Sequence, residues 1–311
     1  MKDSITLKIG QQTLRVSPGE NLLDRLLAEG YPVPWSCRGG YCQACVVQAA
    51  PGQAPDSATH MLKPEQQSAG WLLSCQCQIT RDMDLRMHDP ARDDMGGRVV
   101  ASSRIGDVLI LQIAPERPLR FKPGQHLLVW INSHIGRPYS VASLPGEPFL
   151  EFHIRLRPNG NFSEAAISLS VGDAVFLGVP IGTLQYDPEW QDRPLLLMCA
   201  GTGLAPLQSI LRDALGRGHD APVNLHHWST ADCYLGEHLG QLAEKHPSLT
   251  IHLRPRSALE ADISQLRIAS RRTMALICGD PGFVEYLRKP LFLAGLPGRQ
   301  ILDEAFFSRP Q

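Results

Sequence analysis

Apolar and polar residues alternate with a period of two at the start of the chain. Ile5–Ile9 and Thr13–Val16 both follow this alternation, which predicts two short strands joined by a tight turn. Leucines at helical spacing predict a helix over Asn21–Glu29, closed by a glycine. Ser74–Ile79 has the composition of a returning strand. The first segment is therefore predicted to be a small α+β domain.

Short β-rich runs separated by proline and glycine make up the middle of the chain. Four of them are predicted to be strands, namely Val108–Ile113, His126–Ile131, Phe149–Leu156 and Ala174–Gly178. Strands of this length and spacing favour an antiparallel β-barrel. The polar segment His88–Gly97, which precedes them, is rich in turn formers and is predicted to be a linker.

The pattern changes again near Pro194, where continuous apolar runs alternate with helical stretches. The predicted strands are Leu195–Ala200, Val223–Trp228, Thr250–Leu253 and Met274–Cys278. This alternation favours a parallel sheet with crossover helices. The chain is therefore predicted to be multidomain, with an α+β domain over residues 1–88, an antiparallel β-barrel over 98–188 and a parallel α/β domain over 193–311.

Charge and hydropathy exclude two classes of partner. The 311 residues carry a formal net charge of −1, so no basic field indicates nucleic-acid binding. The longest apolar runs are far too short to cross a bilayer, and we recognise no targeting or lipidation motif. A cytoplasmic protein without a membrane partner is expected.

Four cysteines carry the most specific chemistry in the sequence. Cys37, Cys42 and Cys45 have the spacing C-x4-C-x2-C, and Cys75 follows 30 positions after the third. This is the ligand spacing of a plant-type [2Fe-2S] cluster. The Gly-rich first gap allows backbone N–H groups to turn toward the sulfur atoms. Such a cluster carries single electrons, which predicts an electron carrier or an enzyme that delivers electrons.

A zinc site and a disulfide framework are the alternatives for these cysteines. Zinc sites usually contain paired C-x2-C turns, and only Cys42 and Cys45 have that spacing. Disulfides need an oxidising compartment, which the expected cytoplasmic location does not provide. Cys77 lies two positions after Cys75 and is predicted to be a small buried or half-buried thiol.

Five further motifs follow the cysteines. Arg137-Pro138-Tyr139-Ser140 lies at the end of a predicted barrel strand, and Gly160-Asn161-Phe162-Ser163 lies after another. The turn Gly201-Thr202-Gly203-Leu204-Ala205-Pro206 joins a buried strand to a helix. Glycines in such a turn let a pyrophosphate approach the helix N-terminus. Cys278-Gly279-Asp280-Pro281 ends a later strand, and Ala305-Phe306-Phe307 lies near the C-terminus.

Together these motifs resemble the ferredoxin–NADP reductase superfamily. Nearly the whole chain looks like the reductase component of bacterial multicomponent oxygenases, with a β-grasp ferredoxin domain fused before an FAD-binding barrel and an NAD-binding domain. The resemblance implies that Cys278 lies beside the reacting carbon of the nicotinamide and that Ser140 hydrogen-bonds near the reacting nitrogen of the flavin. These two residues are the expected catalytic positions.

The resemblance also implies a set of cofactor-binding residues. Arg137 is expected to pair with a flavin phosphate, and Tyr139 is expected to pack against the flavin ring. Ser163 is expected to contact the pyrophosphate and to cap the following helix. The remaining expected binding residues are Ile154, Arg155, Gly160, Phe162, Gly201, Thr202, Gly203, Ala205, Pro206, Gly279, Asp280, Phe306 and Phe307.

The order of the domains and one loop indicate the identity of the cofactors. In this family a ferredoxin domain that precedes the barrel accompanies FAD, whereas the related FMN enzymes carry it at the other end. The loop Ser229–Tyr234, after the second α/β strand, contains Asp232 and no cation. A 2′-phosphate needs such a cation, so NADH is favoured over NADPH.

The predicted function is transfer of electrons from NADH, through FAD and the cluster, to a partner oxygenase. The cluster edge near residues 38–43 is the predicted exit for electrons. A reductase for another acceptor, such as a deoxysugar dehydratase, a cytochrome P450 or a separate ferredoxin, remains the first alternative. A non-catalytic redox sensor is the second, and it predicts loss of a flavin or nicotinamide motif. All of these motifs are present.

Overall fold

A five-stranded mixed sheet forms the core of the N-terminal domain in the computed structural model, which describes residues 4–307. Its strands are β1 (Ile5–Ile9), β2 (Gln12–Val16), β3 (Val46–Ala49), β4 (Trp71–Leu73) and β5 (Met83–Met87), and its helices are α1 (Leu22–Ala28) and α2 (Pro64–Ser68). The spatial order is β2-β1-β5-β3-β4, and β1 is parallel to β5. Leu22, Leu23 and Leu26 of α1 are fully buried in the core beside the sheet. The predicted helix and the β-grasp arrangement are confirmed.

Ser74–Ile79 is not a strand, contrary to the prediction. Ser74–Gln76 forms a 3-10 turn, in which the N–H and the hydroxyl of Ser74 both donate to the carbonyl of Cys45 at 3.0 and 2.8 Å. A turn replaces the strand here because Cys75 has to face Cys45, and continued extension from β4 would carry it away.

The segment His88–Gly97, predicted to be a linker, is folded. It contains α3 (Pro90–Asp93) and the first residues of β6 (Met95–Ile105). Asp89 accepts the N–H of Ala91 at 3.1 Å and so caps α3, with proline at the first helical position. A Cβ at Gly97 would lie 2.9 Å from the side chain of Ile113, so this glycine permits close strand packing rather than a turn.

The middle domain is a six-stranded antiparallel sheet that closes on itself. Its other strands are β7 (Val108–Pro115), β8 (His126–Trp130), β9 (Gly136–Ser140), β10 (Leu150–Arg155) and β11 (Ala174–Leu177), and its helix is α4 (Asn161–Ile167). The order is β10-β7-β6-β11-β8-β9. The N–H of Ala142, just beyond β9, donates to the carbonyl of Glu151 on β10 at 2.8 Å. This hydrogen bond joins the two edge strands and closes the predicted barrel.

The C-terminal domain is a five-stranded parallel sheet with helices on both faces. Its elements are β12 (Leu195–Ala200), α5 (Leu204–Gly216), β13 (Val223–Ser229), α6 (Gly236–Lys245), β14 (Leu249–Pro255), α7 (Leu259–Gln265), β15 (Met274–Gly279), α8 (Pro281–Leu293) and β16 (Ile301–Ala305). The order β14-β13-β12-β15-β16 reverses direction between β12 and β15. Ligands bind at such a switch point in open parallel sheets.

Contacts between distant parts of the chain hold the three domains together. The hydroxyl of Ser36 donates to the carbonyl of Phe307 at 2.8 Å, which joins the first domain to the last. His88 stacks on Trp130 of the barrel with ring centroids 5.1 Å apart. Among residues 4–307, no helix has the length and apolarity needed to cross a bilayer.

Candidate functional site

A cavity of about 980 Å³ opens where the three domains meet. The first domain contributes Cys37 and Cys42, the two outer residues of the C-x4-C motif. The barrel contributes Tyr139 and Ser140 from β9, and the C-terminal domain contributes several residues that include Phe306. Motifs that are far apart in the sequence therefore surround one space.

Cys37 and Cys42 form the first of two thiol pairs. The N–H groups of Gly39 and Cys42 donate to the Cys37 sulfur at 3.3 and 3.4 Å. A hydrogen bond between the two side chains and these backbone donors lower the pKa of Cys37 to about 5, against the effect of burial. The same interaction raises the pKa of Cys42. The loop thus stabilises negative charge on a sulfur, as a thiolate ligand requires.

Cys45 and Cys75 form the second pair. The side-chain hydrogen bond between them, with a further donor from Gln76 Nε2 at 3.4 Å, lowers the pKa of Cys75 to about 7 and raises that of Cys45. Across residues 4–307, no three His, Cys, Asp or Glu side chains converge on a point that suits one metal ion. Two separate thiol pairs fit a two-iron cluster, in which each iron takes two thiolates, better than a single zinc ion.

Strained backbone shapes the loop that carries these thiols. Arg38 and Gln43 adopt φ angles of 51° and 48°, in the left-handed region that side chains other than glycine rarely occupy. Gly40 has φ of 86°, and a Cβ there would lie 2.6 Å from the sulfur of Met61. The strained residues lie where backbone N–H groups turn toward the cysteine sulfurs. Strained backbone of this kind is typical of functional loops.

The β9 motif presents three different groups to the cavity. Arg137 donates from Nη1 to the carbonyl of Trp35 at 2.8 Å, so it also binds the first domain. The ring of Tyr139 packs on the ring of Phe162, with centroids 4.8 Å apart. Burial raises the pKa of the Tyr139 phenol. The hydroxyl of Ser140 donates to Glu304 Oε1 at 3.3 Å. A cation, a flat ring and a hydroxyl therefore line one strand.

The segment around Gly160 lines the same cavity, but Ser163 does not cap the helix. Gly160 is the N-cap residue of α4, and no side chain caps it. The hydroxyl of Ser163 instead donates to the carbonyls of Gly160 and Arg157 at 3.0 and 3.1 Å. Its position three residues into the helix directs the hydroxyl back to the loop. Ser163 therefore holds the loop that borders the cavity.

Ile154 and Arg155 are neighbours on β10 with opposite orientations. The Ile154 side chain is fully buried in the barrel core and does not border the cavity, because alternate strand residues face opposite ways. Only its backbone is available for a cofactor. Arg155 borders the cavity and donates from Nε to Asp107 and from Nη2 to the hydroxyl of Thr230, both at 3.0 Å.

The turn after β12 lies against the end of β15. Thr202 and Ala205 border the cavity, whereas Gly201, Gly203 and Pro206 do not. A Cβ at Gly203 would lie 2.2 Å from the carbonyl oxygen of Cys278. Gly203 is thus required for close packing of the turn after β12 against the end of β15 at the switch point.

Cys278, Gly279 and Asp280 end β15 at the switch point. Cys278 is fully buried, and burial raises the pKa of its thiol, so it is not a thiolate nucleophile. Asp280 caps α8 by accepting the N–H of Phe283 at 2.9 Å and pairs with Arg256 at 3.1 Å. The Asp280 carboxylate is therefore occupied by structural partners.

Phe306 and Phe307 both border the cavity at the end of the described chain. The N–H of Phe306 donates to the carbonyl of Gly279 at 2.7 Å, and its ring packs on the core of the parallel sheet. Phe307 is more exposed and is bound through its carbonyl to Ser36. The aromatic segment thus lies across the boundary between the first and last domains.

His126 and Glu304 are cavity residues that the sequence analysis missed. His126 Nδ1 lies 3.1 Å from Glu304 Oε1, the atom that also accepts from Ser140. Burial opposes protonation of His126, but the Glu304 carboxylate outweighs it and raises the pKa. A polar residue at the start of the otherwise apolar run HLLVW was the available signal. Both ring nitrogens lack a partner with hydrogen-bond geometry.

The cavity residues suit a flavin dinucleotide. The volume of the cavity is in the range of a cofactor site, and Arg137, Arg155 and Arg157 bring positive charge to the cavity wall. Aromatic rings at Tyr139 and Phe306 offer flat surfaces, and the buried ring of His126 has unused hydrogen-bonding capacity. Anionic phosphates, a planar ring system and polar ring edges would find matching partners here.

Comparisons with known proteins identify the families of the first two domains and relatives of nearly the whole chain. Residues 5–80 match the 2Fe-2S iron-sulfur cluster binding domain family, and residues 102–186 match the oxidoreductase FAD-binding domain family. The ferredoxin–NAD(P)+ reductase component of the naphthalene 1,2-dioxygenase/salicylate 5-hydroxylase systems of a Ralstonia species is 31% identical, over 94% of this chain and 95% of that protein. The corresponding naphthalene 1,2-dioxygenase component of Pseudomonas putida is also 31% identical, over 94% of both chains.

Solved structures give the same result for the whole chain. The structure of an Amycolatopsis cytochrome P450 reductase has a TM-score of 0.64 and 27% identity, and covers 97% of this chain and 98% of that one. A ferredoxin reductase in carbazole 1,9a-dioxygenase has a TM-score of 0.64 and 26% identity, over 98% of both chains. These matches confirm the predicted fold, the predicted oxidoreductase activity and the cofactor set of [2Fe-2S] cluster, FAD and nicotinamide nucleotide. The chain belongs to the family of ferredoxin–NAD(P)+ reductases that serve as reductase components of oxygenase systems.

Proposed function

We propose that this protein takes electrons from NADH and delivers them one at a time to a partner oxygenase. The observation that carries the proposal is the shared cavity, which brings the Cys37 and Cys42 thiols, the Ser140 hydroxyl and the Phe306 ring to one space. When bound, FAD accepts a hydride from the nicotinamide and releases single electrons, which the [2Fe-2S] cluster carries onward.

The barrel residues would bind and orient the flavin. Arg137 offers its guanidinium to a phosphate, which it matches bidentately. Tyr139 supplies a flat face, while Ser140, held by Glu304 at 3.3 Å, offers a hydroxyl that can donate or accept. The loop that Ser163 holds would follow the pyrophosphate. These assignments derive from the family resemblance and from the position of each group on the cavity wall.

The C-terminal domain would bind the nicotinamide nucleotide at its switch point. Gly203 and Gly279 keep the turn after β12 close to the end of β15 there, since a Cβ at either would collide with neighbouring protein atoms. Cys278 is uncharged and fully buried, so its role would be to fill space beside the nicotinamide ring and to exclude water. No protein side chain needs to act as a nucleophile.

The cluster loop would receive electrons on one side and release them on the other. Cys42 and Gln43 border the cavity, so this part of the predicted exit edge faces the flavin site. Arg38 lies on the outer side, exposed and ion-paired with Asp24 at 2.7 Å. We place the entry of electrons beside Cys42 and Gln43 and their exit beside Arg38.

The partner is proposed to be a terminal oxygenase component. The relatives that match nearly the whole chain serve naphthalene dioxygenase systems, which supports this choice. A cytochrome P450 is the second candidate, because the P450 reductase structure covers the chain almost completely. Cysteine ligands that must stay reduced support a cytoplasmic location.

Anaerobic titration with NADH tests the proposal. The purified protein should bleach in the flavin absorbance band, and the EPR signal of a reduced [2Fe-2S] centre should appear in the same titration. Candidate oxygenases added afterwards should reoxidise the cluster in stoichiometric amounts. An NADH titration that reduces the flavin but leaves the cluster oxidised would contradict the relay, and oxidation by cytochrome P450 alone would favour the second candidate.

A further inference from the structure

The carboxyl end of β13 carries the features that would decide between NADH and NADPH. In nucleotide-binding parallel sheets, the ribose of the adenosine lies beyond the end of the second strand, and an arginine nearby accommodates a 2′-phosphate. Here that strand ends at Ser229, which lies opposite Pro255 of β14. Arg254 and Arg256 flank Pro255, so two cations lie next to the expected ribose position.

Arg254 is held by a carboxylate on α7. Its Nε and Nη2 donate to the two oxygens of Asp262 at 3.1 and 3.0 Å. The indole N–H of Trp228 donates to the same carboxylate at 2.9 Å, and Trp228 is almost fully buried. A buried donor thus anchors Asp262, and Asp262 in turn binds Arg254 through a two-point contact that fixes its direction.

Arg256 is held in a similar way from the end of β15. Its Nη2 donates to Asp280 Oδ2 at 3.1 Å, and its guanidinium lies 4.9 Å from the centre of the Phe283 ring. The other oxygen of Asp280 accepts the N–H of Phe283 as the cap of α8. Asp280 is therefore fixed by the helix N-terminus while it neutralises the arginine.

A third cation reaches the same loop and is also paired. Arg155 of the barrel donates to the hydroxyl of Thr230, which follows Ser229, and its Nε binds Asp107 at 3.0 Å. The loop itself adds the carboxylate of Asp232. Each of the three arginines around the end of β13 thus has an aspartate partner, and the local charge does not favour an additional phosphate dianion.

We propose that Asp262 and Asp280 are specificity-determining residues, which select NADH by holding Arg254 and Arg256 away from a 2′-phosphate. The inference rests on the proposed function, since it requires that this edge of the sheet binds the adenosine half of a nicotinamide nucleotide. It assigns the choice between NADH and NADPH to two ion pairs, formed by Asp262 of α7 and by Asp280 at the N-cap of α8. These act in addition to the loop Ser229–Tyr234.

Asparagine substitutions separate the charge of each aspartate from its structural role. In Asp262→Asn the amide oxygen can still accept from Trp228, and in Asp280→Asn it can still cap α8. Both changes remove the negative charge that holds an arginine. Asp192→Asn is the matched control, because Asp192 binds Arg272 at 2.6 Å at the opposite, amino-terminal edge of the same sheet.

Isothermal titration of the full-length, cofactor-loaded protein with AMP and with adenosine 2′,5′-bisphosphate measures the contribution of the 2′-phosphate directly. The wild-type protein and Asp192→Asn should bind AMP at least as tightly as the bisphosphate. Asp262→Asn, and the double variant with Asp280→Asn more so, should shift the affinity ratio toward the bisphosphate by about five- to tenfold. The shift should decline as salt is added.

Two results would overturn the inference. In the first, the variants bind AMP normally, and their affinity ratio between AMP and adenosine 2′,5′-bisphosphate equals that of the wild-type protein. In the second, the wild-type protein already binds the bisphosphate more tightly than AMP. If NAD+ and AMP both fail to bind the wild-type protein, the proposed function itself is wrong, so the two failures are distinguishable. The ratio of kcat/KM for NADH to that for NADPH should change across the variants in the same direction as the affinity ratio of AMP to the bisphosphate.

Discussion

At the scale of single residues, chemistry could be predicted best where the spacing itself carries information. The cysteine spacing predicted the four cluster ligands without knowledge of the loop, because the ligand set is local except for Cys75. Their arrangement as two pairs was not predicted. Glu304 and His126 were missed for the opposite reason. Their significance arises only from a contact between residues 178 positions apart, brought together by the docking of β16 on the barrel.

Cys42→Ser tests the cluster assignment. A serine hydroxyl is a harder and less acidic ligand than the thiol of Cys42, so the variant should lose the cluster. It should retain FAD, because the proposed flavin-binding residues of the barrel are unchanged. Reduction of ferricyanide by NADH should persist, while reduction of cytochrome c should fall by at least about tenfold. Iron analysis, EPR and the two assays measure this.

Cys77→Ala provides the control for that variant. Cys77 is fully buried in the core of the first domain, two residues after Cys75, and burial raises the pKa of its thiol to about 12. The substitution should cost about 1 kcal/mol of stability and leave the cluster in place. Loss of the cluster in both variants would show that the cysteine assignment is wrong.

The His126–Glu304 pair predicts a pH-dependent contribution to stability. The pKa of His126 is raised above its usual value of about 6.5, so the pair stabilises the folded protein fully below that pH. The contribution is lost as the pH rises through the raised pKa. Glu304→Gln should therefore lower Tm by about 2–4 °C near pH 6 and by much less near pH 9.

Calorimetry across this pH range, with Glu244→Gln on the exposed face of α6 as control, measures the difference. The control should show no dependence of its Tm difference on pH. A Glu304→Gln effect of equal size at both ends of the range would mean that His126 is not protonated in the folded protein.

At the scale of secondary-structure elements, periodicity predicted the strands that bury one or both faces. Leu195–Ala200 and Met274–Cys278 are continuous apolar runs, and the structure extends the second by only one residue. Arg137–Ser140 was expected at the end of a barrel strand, as β9 shows, but the bounds of that strand were not predicted, because Gly-Arg-Pro-Tyr-Ser has no alternation and contains proline. It is extended because it pairs with β8 from His126 to Trp130, a tertiary constraint that overrides its own propensity.

Gly203→Ala tests the close approach of α5 to β15. The added Cβ would lie 2.2 Å from the Cys278 carbonyl oxygen, and backbone on both sides cannot yield easily. We expect a loss of about 2–4 kcal/mol in the stability of the C-terminal domain and a KM for NADH raised at least about tenfold. Thermal unfolding and steady-state kinetics measure these changes.

Gly216→Ala is the matched control in the same helix. No atom lies within 4 Å of a Cβ at Gly216, near the other end of α5, and its φ is not left-handed. Alanine should therefore be neutral or stabilise by up to about 1 kcal/mol. Equal effects of the two substitutions would mean that the contact with Cys278 does not limit the position of α5.

At the scale of the whole molecule, the number and order of folds were predictable, but their docking was not. The segment His88–Gly97 has a linker's composition, yet the side chains of His88 and Asp94 are nearly buried. His88 Nε2 lies 3.3 Å from Asp94 Oδ2. Sequence patterns report the local alternation of polar residues, whereas burial here arises from two domains that meet. Polar residues buried by domain docking therefore resemble solvent-exposed ones in the sequence.

His88 lies in the contact between the ferredoxin domain and the barrel. Its ring stacks on Trp130 with centroids 5.1 Å apart and meets Trp71 of the first domain at 5.6 Å. In His88→Ala the two tryptophans lose the ring between them, so the first domain should dock less firmly. In the proposed relay, electron transfer to the cluster depends on that docking, whereas reduction of the flavin by NADH would occur between the other two domains.

Stopped-flow reduction by NADH should therefore show two separate effects in His88→Ala. The rate of flavin bleaching should remain within about twofold of the wild-type rate, while reduction of the cluster should slow on the order of tenfold, because small misplacements strongly affect transfer between held groups. His60→Ala, in an exposed loop of the same domain, should change neither rate. If His88→Ala slows both steps equally, the His88 contact supports the whole fold, and the docking of the ferredoxin domain does not depend on it specifically.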